Sequence, residues 1–212
     1  MTTVFIHGLG QGPESWDPVT AALGGADGSL RPDLSRLLAE GGSPSYPALY
    51  RAFSGWCRPL PGPLALCGLS LGAVLALHYA LDHPERVGAL ALIAPQYQMP
   101  QGLLRLQGLL FRVMPESAFA GAGLGKQEMI ALTASMADLD FSARLGELAC
   151  PPLVICGERD RANQKAAREL AAKAPGGELR LVPGAGHEVN REAPETLAAI
   201  LRDSGFFRAA GL

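Results

Sequence analysis

The stretch LALCGLSLGAVLAL, residues 64–77, is apolar along almost its whole length but is interrupted by Gly68, Ser70 and Gly72. The run before the interruption is typical of a buried strand, and the run after it continues as a helix. A serine between two glycines at such a strand-to-helix turn is typical of a nucleophile elbow, which leaves no room for flanking side chains. Gly and Ser are also ordinary turn residues, so the pentapeptide indicates catalysis only if partner residues occur elsewhere.

Short apolar runs bounded by Gly, Pro or charged residues alternate along the chain with longer helical patterns. We expect helices near residues 15–23, 46–57, 71–82, 163–174 and 192–202. Strands joined by helical crossovers predict an α/β protein with a parallel sheet covered on both faces, and the length predicts a single domain over residues 1–212. The six strand signals are VFIHG (4–8), SLRPD (29–33), PLALCG (63–68), VGALALIAP (87–95), PPLVICG (151–157) and ELRLVPG (178–184).

The alternation stops between Gln96 and Cys150, where no convincing strand signal occurs. QGLLRLQGLLFRVM (101–114) and KQEMIALTASMADL (126–139) have helical patterns instead. A helical insertion after the carboxyl end of a strand predicts a small helical lid over residues 96–145. Its apolar side chains, Leu110 and Met114 among them, either line an acyl pocket or pack the lid onto the core.

Ligands of an open α/β sheet bind at the carboxyl ends of its strands, so residues directly after strands are the candidates for a site. Ser70 needs a base that accepts its proton, and histidine serves best near neutral pH. His187 lies in GAGHEVN (184–190), between the sixth strand signal and the last helix, and we expect it to be that base. We expect His78 and His83, in and after the helix that follows Ser70, to pack or cap.

The imidazole in turn needs a carboxylate that holds its tautomer and stabilises the imidazolium. Asp160, in CGERD (156–160), follows the fifth strand signal, and Glu158 is its nearest competitor. The chain order Ser70, Asp160, His187 is the serine, acid, histidine order of a nucleophile-elbow hydrolase. We therefore predict these three residues as a catalytic triad.

Backbone N–H groups are the usual donors to the oxyanion of such a reaction. We predict the N–H of Leu71, after the serine, and that of Leu9, in the glycine-rich loop after the first strand, with Gly10 as the alternative to Leu9. Residues at strand ends that we expect to contact substrate are Gly8, Gly10, Gln11, Gln96 and Tyr97.

Several motifs together resemble the α/β-hydrolase superfamily along nearly the whole chain. The resemblance implies the α/β-hydrolase fold and hydrolysis of a carboxylic ester, thioester or amide through an acyl-enzyme, with no metal or organic cofactor. Most members have two further strands before the His-Gly strand, so the expected sheet is a trimmed one of about six strands in the order 2-1-3-4-5-6. A substrate is not implied. The motifs are FIHGLG (5–10), RPD (31–33), GLSLG (68–72), HPERV (83–87), PPLVICGERD (151–160) and GAGHEVNREAPE (184–195).

The composition argues against several classes of partner. A net charge of -2 without a basic run gives no footprint for nucleic acid, and no apolar stretch reaches the length of a membrane span. The first residues lack a signal-peptide pattern, and the four cysteines show no metal-binding spacing. We therefore expect a cytoplasmic protein with a small-molecule substrate.

Two other functions stay open. A dinucleotide-binding dehydrogenase would use Gly8, Gly10 and Asp33, but Pro13 stands where the third glycine of G-x-G-x-x-G belongs. A ligand receptor could keep the same fold and triad with negligible turnover. Hydrolysis of a model ester would exclude the receptor.

Overall fold

The computed structural model describes residues 1–25, 28–99, 101–119 and 123–207. In these ranges, five strands alternate with helices. The strands are β1 (Thr2–Ile6), β2 (Leu64–Leu69), β3 (Val87–Ile93), β4 (Pro152–Gly157) and β5 (Glu178–Val182). The helices are α1 (Asp17–Ala22), α2 (Leu34–Glu40), α3 (Tyr46–Cys57), α4 (Leu71–Asp82), α5 (Gln101–Val113), α6 (Lys126–Ser135), α7 (Arg161–Lys173), α8 (Val189–Glu192) and α9 (Pro194–Asp203).

The five strands form one parallel sheet in the order β1-β2-β3-β4-β5. Strand β2 shows why the sheet is buried on both faces, since all six of its residues are buried. Leu64 and Leu66 pack into the core on the side of α3 and α4, whereas Cys67 and Leu69 pack into a second core with Trp16. Side chains alternate between the two faces of a strand, so β2 packs into both cores. The turn at Ser70 therefore follows a strand that is held on both faces.

The edge next to β1 differs in detail from the expectation. Of SLRPD (29–33), only Leu30 pairs with the sheet, through a parallel bridge to Val4. Pro32 has no N–H to continue the ladder, and the Asp33 carboxylate caps α2 by accepting from the N–H groups of the first turn. The second predicted strand is therefore a single bridge at its expected position beside β1, and the other five strands follow the predicted order.

The chain between β3 and β4 contains α5 and α6 where the helical patterns predict them. The two helices contact each other, and α6 also contacts α3. The two ends of this segment are tied together, because Met99 N–H donates to the Leu139 carbonyl at 2.9 Å and Phe141 N–H donates to the Tyr97 carbonyl at 2.8 Å. The insertion therefore leaves and re-enters the sheet at one place.

The structure describes the state of the cysteines and the character of the helices, two features considered above from composition. All four cysteines are buried and outside any disulfide. Burial raises the pKa of the Cys57 and Cys156 thiols to about 12, which keeps both in the neutral form. Among the helices of the described ranges, none combines the length and apolar character that crossing a bilayer requires.

Candidate active site

Ser70 lies at a strained turn between β2 and α4. Its backbone has φ 53° and ψ -112°, a conformation that costs a side-chain-bearing residue about 1–3 kcal/mol. A Cβ atom on Gly68 would lie 2.2 Å from the carbonyl oxygen of Gly72, and a Cβ atom on Gly72 would lie 2.2 Å from that of Ile6. The two glycines are therefore required by the close approach of backbone, as the pattern predicts for a nucleophile elbow.

His187 and Asp160 meet at the same edge of the sheet. Asp160 lies between β4 and α7, and His187 lies in the loop between β5 and α8. The loop comes close to β4 because Gly157 has no side chain: a Cβ atom there would lie 2.0 Å from the Gly186 carbonyl oxygen. The Nδ1 atom of His187 lies 2.8 Å from Oδ2 of Asp160. The Asp160 side chain is 5% exposed, whereas the His187 side chain is 43% exposed.

The charges of this pair stabilise each other. Burial by itself would raise the pKa of the Asp160 carboxyl, but hydrogen bonds from His187 and Asn163 outweigh it and hold that pKa below its ordinary value. The hydrogen bond to Asp160 raises the pKa of His187 against the effect of burial, with smaller electrostatic contributions from Glu188 and Glu192. A carboxylate only accepts, so Nδ1 carries the proton and Nε2 is left to accept one.

Glu158, the competing acid, faces elsewhere. Its Oε2 atom accepts a hydrogen bond from the Gly184 N–H at 3.1 Å, and the residue is exposed. The structure therefore places Asp160, and not Glu158, against the imidazole of His187.

The loop after β1 lies against the elbow. A Cβ atom on Gly8 would lie 3.6 Å from Cβ of Ser70, so the backbone around Leu9 passes close to the serine. Leu71 is the first residue of α4, and N–H groups in a first helical turn lack an intrahelical acceptor. Both predicted oxyanion donors therefore come from backbone that borders Ser70.

His7 fixes the start of this loop. Its buried ring accepts from the Leu34 N–H at Nε2 (3.0 Å), which leaves Nδ1 to donate to the Gly8 carbonyl at 2.9 Å. Burial lowers the pKa of His7, so the ring is neutral near pH 7. His7 thus ties the loop to the start of α2. Asp33, which would bind a ribose in a dinucleotide-binding protein, here caps α2.

The family model described as the alpha/beta hydrolase family matches residues 3–200. The chain belongs to this family. Among the solved structures, the alpha/beta hydrolase resembles NosK from Streptomyces actuosus with a TM-score of 0.77 and 23% identity, covering 100% of this chain and 99% of that one. The fold expected from the motifs is therefore confirmed.

Two curated relatives are similar to this chain over different shares of its length. A Klebsiella pneumoniae protein provisionally named carbamate hydrolase RutD is 31% identical in an alignment of 171 positions that covers 66% of this chain and 64% of that protein. The chain therefore spans slightly less than two thirds of that relative. The pimeloyl-[acyl-carrier protein] methyl ester esterase of Aromatoleum aromaticum is 29% identical in an alignment of 243 positions that covers 94% of this chain and 96% of that enzyme.

Gln11, predicted to contact substrate, is a buried residue that lines the crevice beside Leu9 and Leu71. Its Oε1 atom accepts from the Gly8 N–H at 3.4 Å and from the Asn190 amide at 3.3 Å. Asn190 is fully buried and also donates to the Ser15 carbonyl at 3.0 Å. Gln11 therefore supports the loop after β1 and joins it to the segment that follows His187.

Gln96 and Tyr97 are also engaged with protein groups. The Tyr97 hydroxyl donates to Glu169 at 2.6 Å and accepts from Lys173 at 2.9 Å. Both Gln96 and Tyr97 line a cavity of about 450 Å³ between α7 and residues 137–140. The described residues that line it include none of the predicted triad, so this cavity is separate from the predicted catalytic groups.

The predicted pocket residues of α5 and its end lie at the surface. Leu110 is 53% exposed on the same side of α5 as Val113, because positions three apart share a helix face. Met114 is partly buried and its carbonyl accepts from Lys126 Nζ at 2.7 Å. The structure thus does not place Leu110 in a pocket.

Helix α6 and Leu124, two residues before it, approach the predicted oxyanion loop. A Cβ atom on Gly10, whose φ is +78°, would lie 3.4 Å from Cε of Met129. Leu124 and Leu132 line a narrow crevice together with Leu9 and Leu71, and its volume is about 10 Å³. That volume corresponds to about one water-sized group. The apolar pattern of KQEMIALTASMADL (126–139) does not distinguish Met129 and Leu132, which approach this loop, from residues that pack into the core.

Asn163 was not predicted from the sequence. It is buried in the first turn of α7, and its Nδ2 atom lies 2.9 and 2.8 Å from the two carboxylate oxygens of Asp160. The spacing Asp-x-x-Asn at the start of a helix puts the two side chains on one face, which is the signal that could have found it.

The other histidines pack, as the sequence predicts. The His78 ring stacks on Tyr50 with centroids 3.7 Å apart, and its Nδ1 atom lies 3.1 Å from the Tyr46 hydroxyl. His83 Nε2 lies 3.3 Å from the Ser54 hydroxyl. In the part of the chain that the structure describes, no three His, Cys, Asp or Glu side chains form a group that could hold a metal ion.

Proposed function

We propose that the protein is a serine hydrolase that cleaves a carboxylic ester of a small, partly apolar substrate through an acyl-enzyme. The observation that carries the proposal is the strained Ser70 at the end of β2, with the paired His187 and Asp160 at the ends of other strands of the same parallel sheet. Strain at a non-glycine residue is typical of functional positions. The similarity to a methyl ester esterase over most of the chain favours an ester over a thioester or amide.

In the proposed reaction the Ser70 hydroxyl attacks the carbonyl carbon while Nε2 of His187 takes its proton. The N–H groups of Leu71 and Leu9 stabilise the oxyanion of the tetrahedral intermediate. The imidazolium, held by Asp160, returns the proton to the leaving alcohol, and the ester of Ser70 remains. Water then repeats the sequence with His187 as base, which releases the acid and restores the serine. This chemistry uses no metal or organic cofactor.

The surroundings of the predicted oxyanion donors favour a short acyl group. The crevice beside Leu9 and Leu71 is lined mostly by leucine side chains and holds about one water-sized group, so a short acyl group fits it better than a long chain does. We propose that residues 96–145 act as a lid of a single hydrolase domain, with Met129 and Leu132 of α6 as its contact with the acyl side.

Turnover of p-nitrophenyl acetate tests this function. We expect Ser70→Ala and His187→Ala each to lower kcat by roughly 10⁶-fold, the scale for a triad member that acts as part of a unit. Ser43→Ala, which changes an exposed serine in the loop between α2 and α3, should leave turnover unchanged. Wild-type protein that is folded and hydrolyses no ester of any acyl length would instead favour a ligand receptor.

A further inference from the structure

The acid of the predicted triad is held by two amide side chains in series. Asn163 directs its Nδ2 atom at both oxygens of Asp160, at 2.9 and 2.8 Å. Gln96, which follows β3, donates through Nε2 to Oδ1 of Asn163 at 2.7 Å. The chain of contacts therefore runs from the end of β3 through α7 to His187.

The orientation of the Asn163 amide follows from its neighbours on both sides. A carboxylate only accepts hydrogen bonds, so the NH₂ group of Asn163 must face Asp160. The oxygen of the same amide then faces Gln96, whose NH₂ group satisfies it. A flipped Asn163 would set two acceptor oxygens against each other at Asp160, which is unfavourable because the buried carboxylate would lose the donor on that side.

Asn163 also lies next to the imidazole, with Nδ2 3.1 Å from Nδ1 of His187. If Asn163 donated there, Nδ1 would be the acceptor and Nε2 would carry the proton, which is the tautomer that cannot accept from a serine. Because Nδ2 of Asn163 lies 2.9 and 2.8 Å from the Asp160 oxygens, which only accept, Asn163 donates to the carboxylate, and the Nδ1 proton of His187 keeps Oδ2 as its acceptor. The direction in which Asn163 donates therefore affects which tautomer is present.

We propose that Gln96 and Asn163 form an amide relay that positions the Asp160 carboxylate and fixes the active tautomer of His187. The inference rests on the proposed serine hydrolase function. Neither amide touches the reacting atoms in this account, so both are positioning residues. The assignment also gives Gln96 a different role from the substrate contact that the sequence predicts.

Two variants interrupt the relay at different points. Asn163→Leu removes both donors to Asp160 at similar volume. Gln96→Glu leaves Asn163 unchanged but sets a carboxylate against its oxygen, so the amide loses its partner or turns away from Asp160. Gln98→Glu is the matched control, because it makes the same charge change two residues along and likewise sets a carboxylate against an acceptor, here the Asp140 carboxylate at the surface instead of Asn163.

The rate at which a fluorophosphonate labels Ser70 measures the reactivity of the serine without a known substrate. We expect Asn163→Leu and Gln96→Glu to slow labelling at neutral pH by about 10- to 100-fold, the scale of hydrogen bonds to a charged group. Gln98→Glu should stay within about twofold of wild type, as surface substitutions do. Equal rates in wild type and both relay variants would overturn the relay while leaving the labelled Ser70 in place.

The pKa of His187, followed by NMR titration of its ring protons, separates positioning from loss of structure. Loss of the donors concentrates charge on Asp160, so the pKa of His187 should rise further in both relay variants. The charged groups facing this ring are Asp160, Glu188 and Glu192, and the last two stay unchanged. A pKa that falls toward 6.5 would mean that the pair has come apart and would overturn the relay.

The titration also separates the relay from the function on which it rests. A raised pKa of His187 in the variants, together with no labelling of Ser70 in the wild type, would retain the positioning role and overturn the serine hydrolase. Gln96 is only partly buried, so Gln96→Glu tests the relay even if Asn163→Leu does not fold.

Discussion

Replacing Asp160 by Asn removes the charge of the proposed acid at almost no change of volume. In the wild type its Oδ2 atom accepts from Nδ1 of His187 at 2.8 Å and is largely shielded from water. An amide NH₂ at that position would donate to Nδ1 and move the ring proton to Nε2. In serine proteases the same tautomer change costs about 10⁴ in kcat, or about 5.4 kcal/mol of transition-state stabilisation at 1.36 kcal/mol per factor of ten.

The pH dependence of the variant provides a second, independent reading. The hydrogen bond to Asp160 raises the pKa of His187, so removing the carboxylate must lower it. Because the base works only when unprotonated, the acid limb of kcat/KM should move to lower pH while its plateau falls. Ester turnover and fluorophosphonate labelling over the pH range measure both effects.

Glu158→Gln is the matched control for Asp160→Asn. Glu158 is exposed and bonds to the Gly184 N–H, so its variant should keep turnover within about a factor of two. Equal losses in the two variants, or a larger loss in Glu158→Gln, would refute the assignment of Asp160 as the acid. A loss in Asp160→Asn without any shift of the acid limb would refute the tautomer argument.

Three further predictions concern the elbow, the acyl side and the loop after β1. Gly68→Ala should lower the free energy of unfolding, measured by urea titration, by several kcal/mol, because its Cβ would lie 2.2 Å from a carbonyl oxygen. Gly55→Ala is the control: Gly55 lies in α3 with open space around it, so this variant should raise the free energy of unfolding by about 0.5–1 kcal/mol. Leu132→Ala should widen the crevice and raise the ratio of p-nitrophenyl butanoate to acetate turnover; an unchanged ratio would exclude the crevice as the acyl side. Burial lowers the pKa of His7 in the folded protein below its unfolded value of about 6.5, so stability should decline as pH falls below about 6.5, by at most about 1.4 kcal/mol per pH unit; His7→Gln should lose this share of the decline.

The parts of the fold that depend on local pattern were predictable. Runs such as PLALCG and PPLVICG are apolar throughout and end in glycine, and they form buried parallel strands because both faces of the sheet are covered. The bounds of α3 and α4 match the expected 46–57 and 71–82. SLRPD predicts a full edge strand, but only Leu30 pairs with β1, because Pro32 and the capping role of Asp33 end the ladder there.

The parts of the site that depend on packing between distant segments were not predictable. Gln11 and Asn190 are 179 residues apart and meet only because the loops after β1 and β5 lie side by side. Gln96 and Asn163 meet because β3 and β4 are neighbours in the sheet. The position after a strand predicts that Gln11 and Gln96 lie at this edge of the sheet, but it cannot distinguish a contact with substrate from a contact between side chains.

A covalent adduct on Ser70 is the most direct test of the proposed acyl-enzyme chemistry. The folded protein is incubated with a fluorophosphonate, digested, and the modified peptide is located by mass. The account predicts a single adduct on Ser70, absent in Ser70→Ala and lost in His187→Ala, because a serine hydroxyl without a base is unreactive near neutral pH. An unlabelled Ser70 in folded wild-type protein, or an adduct that forms equally well without His187, would contradict it.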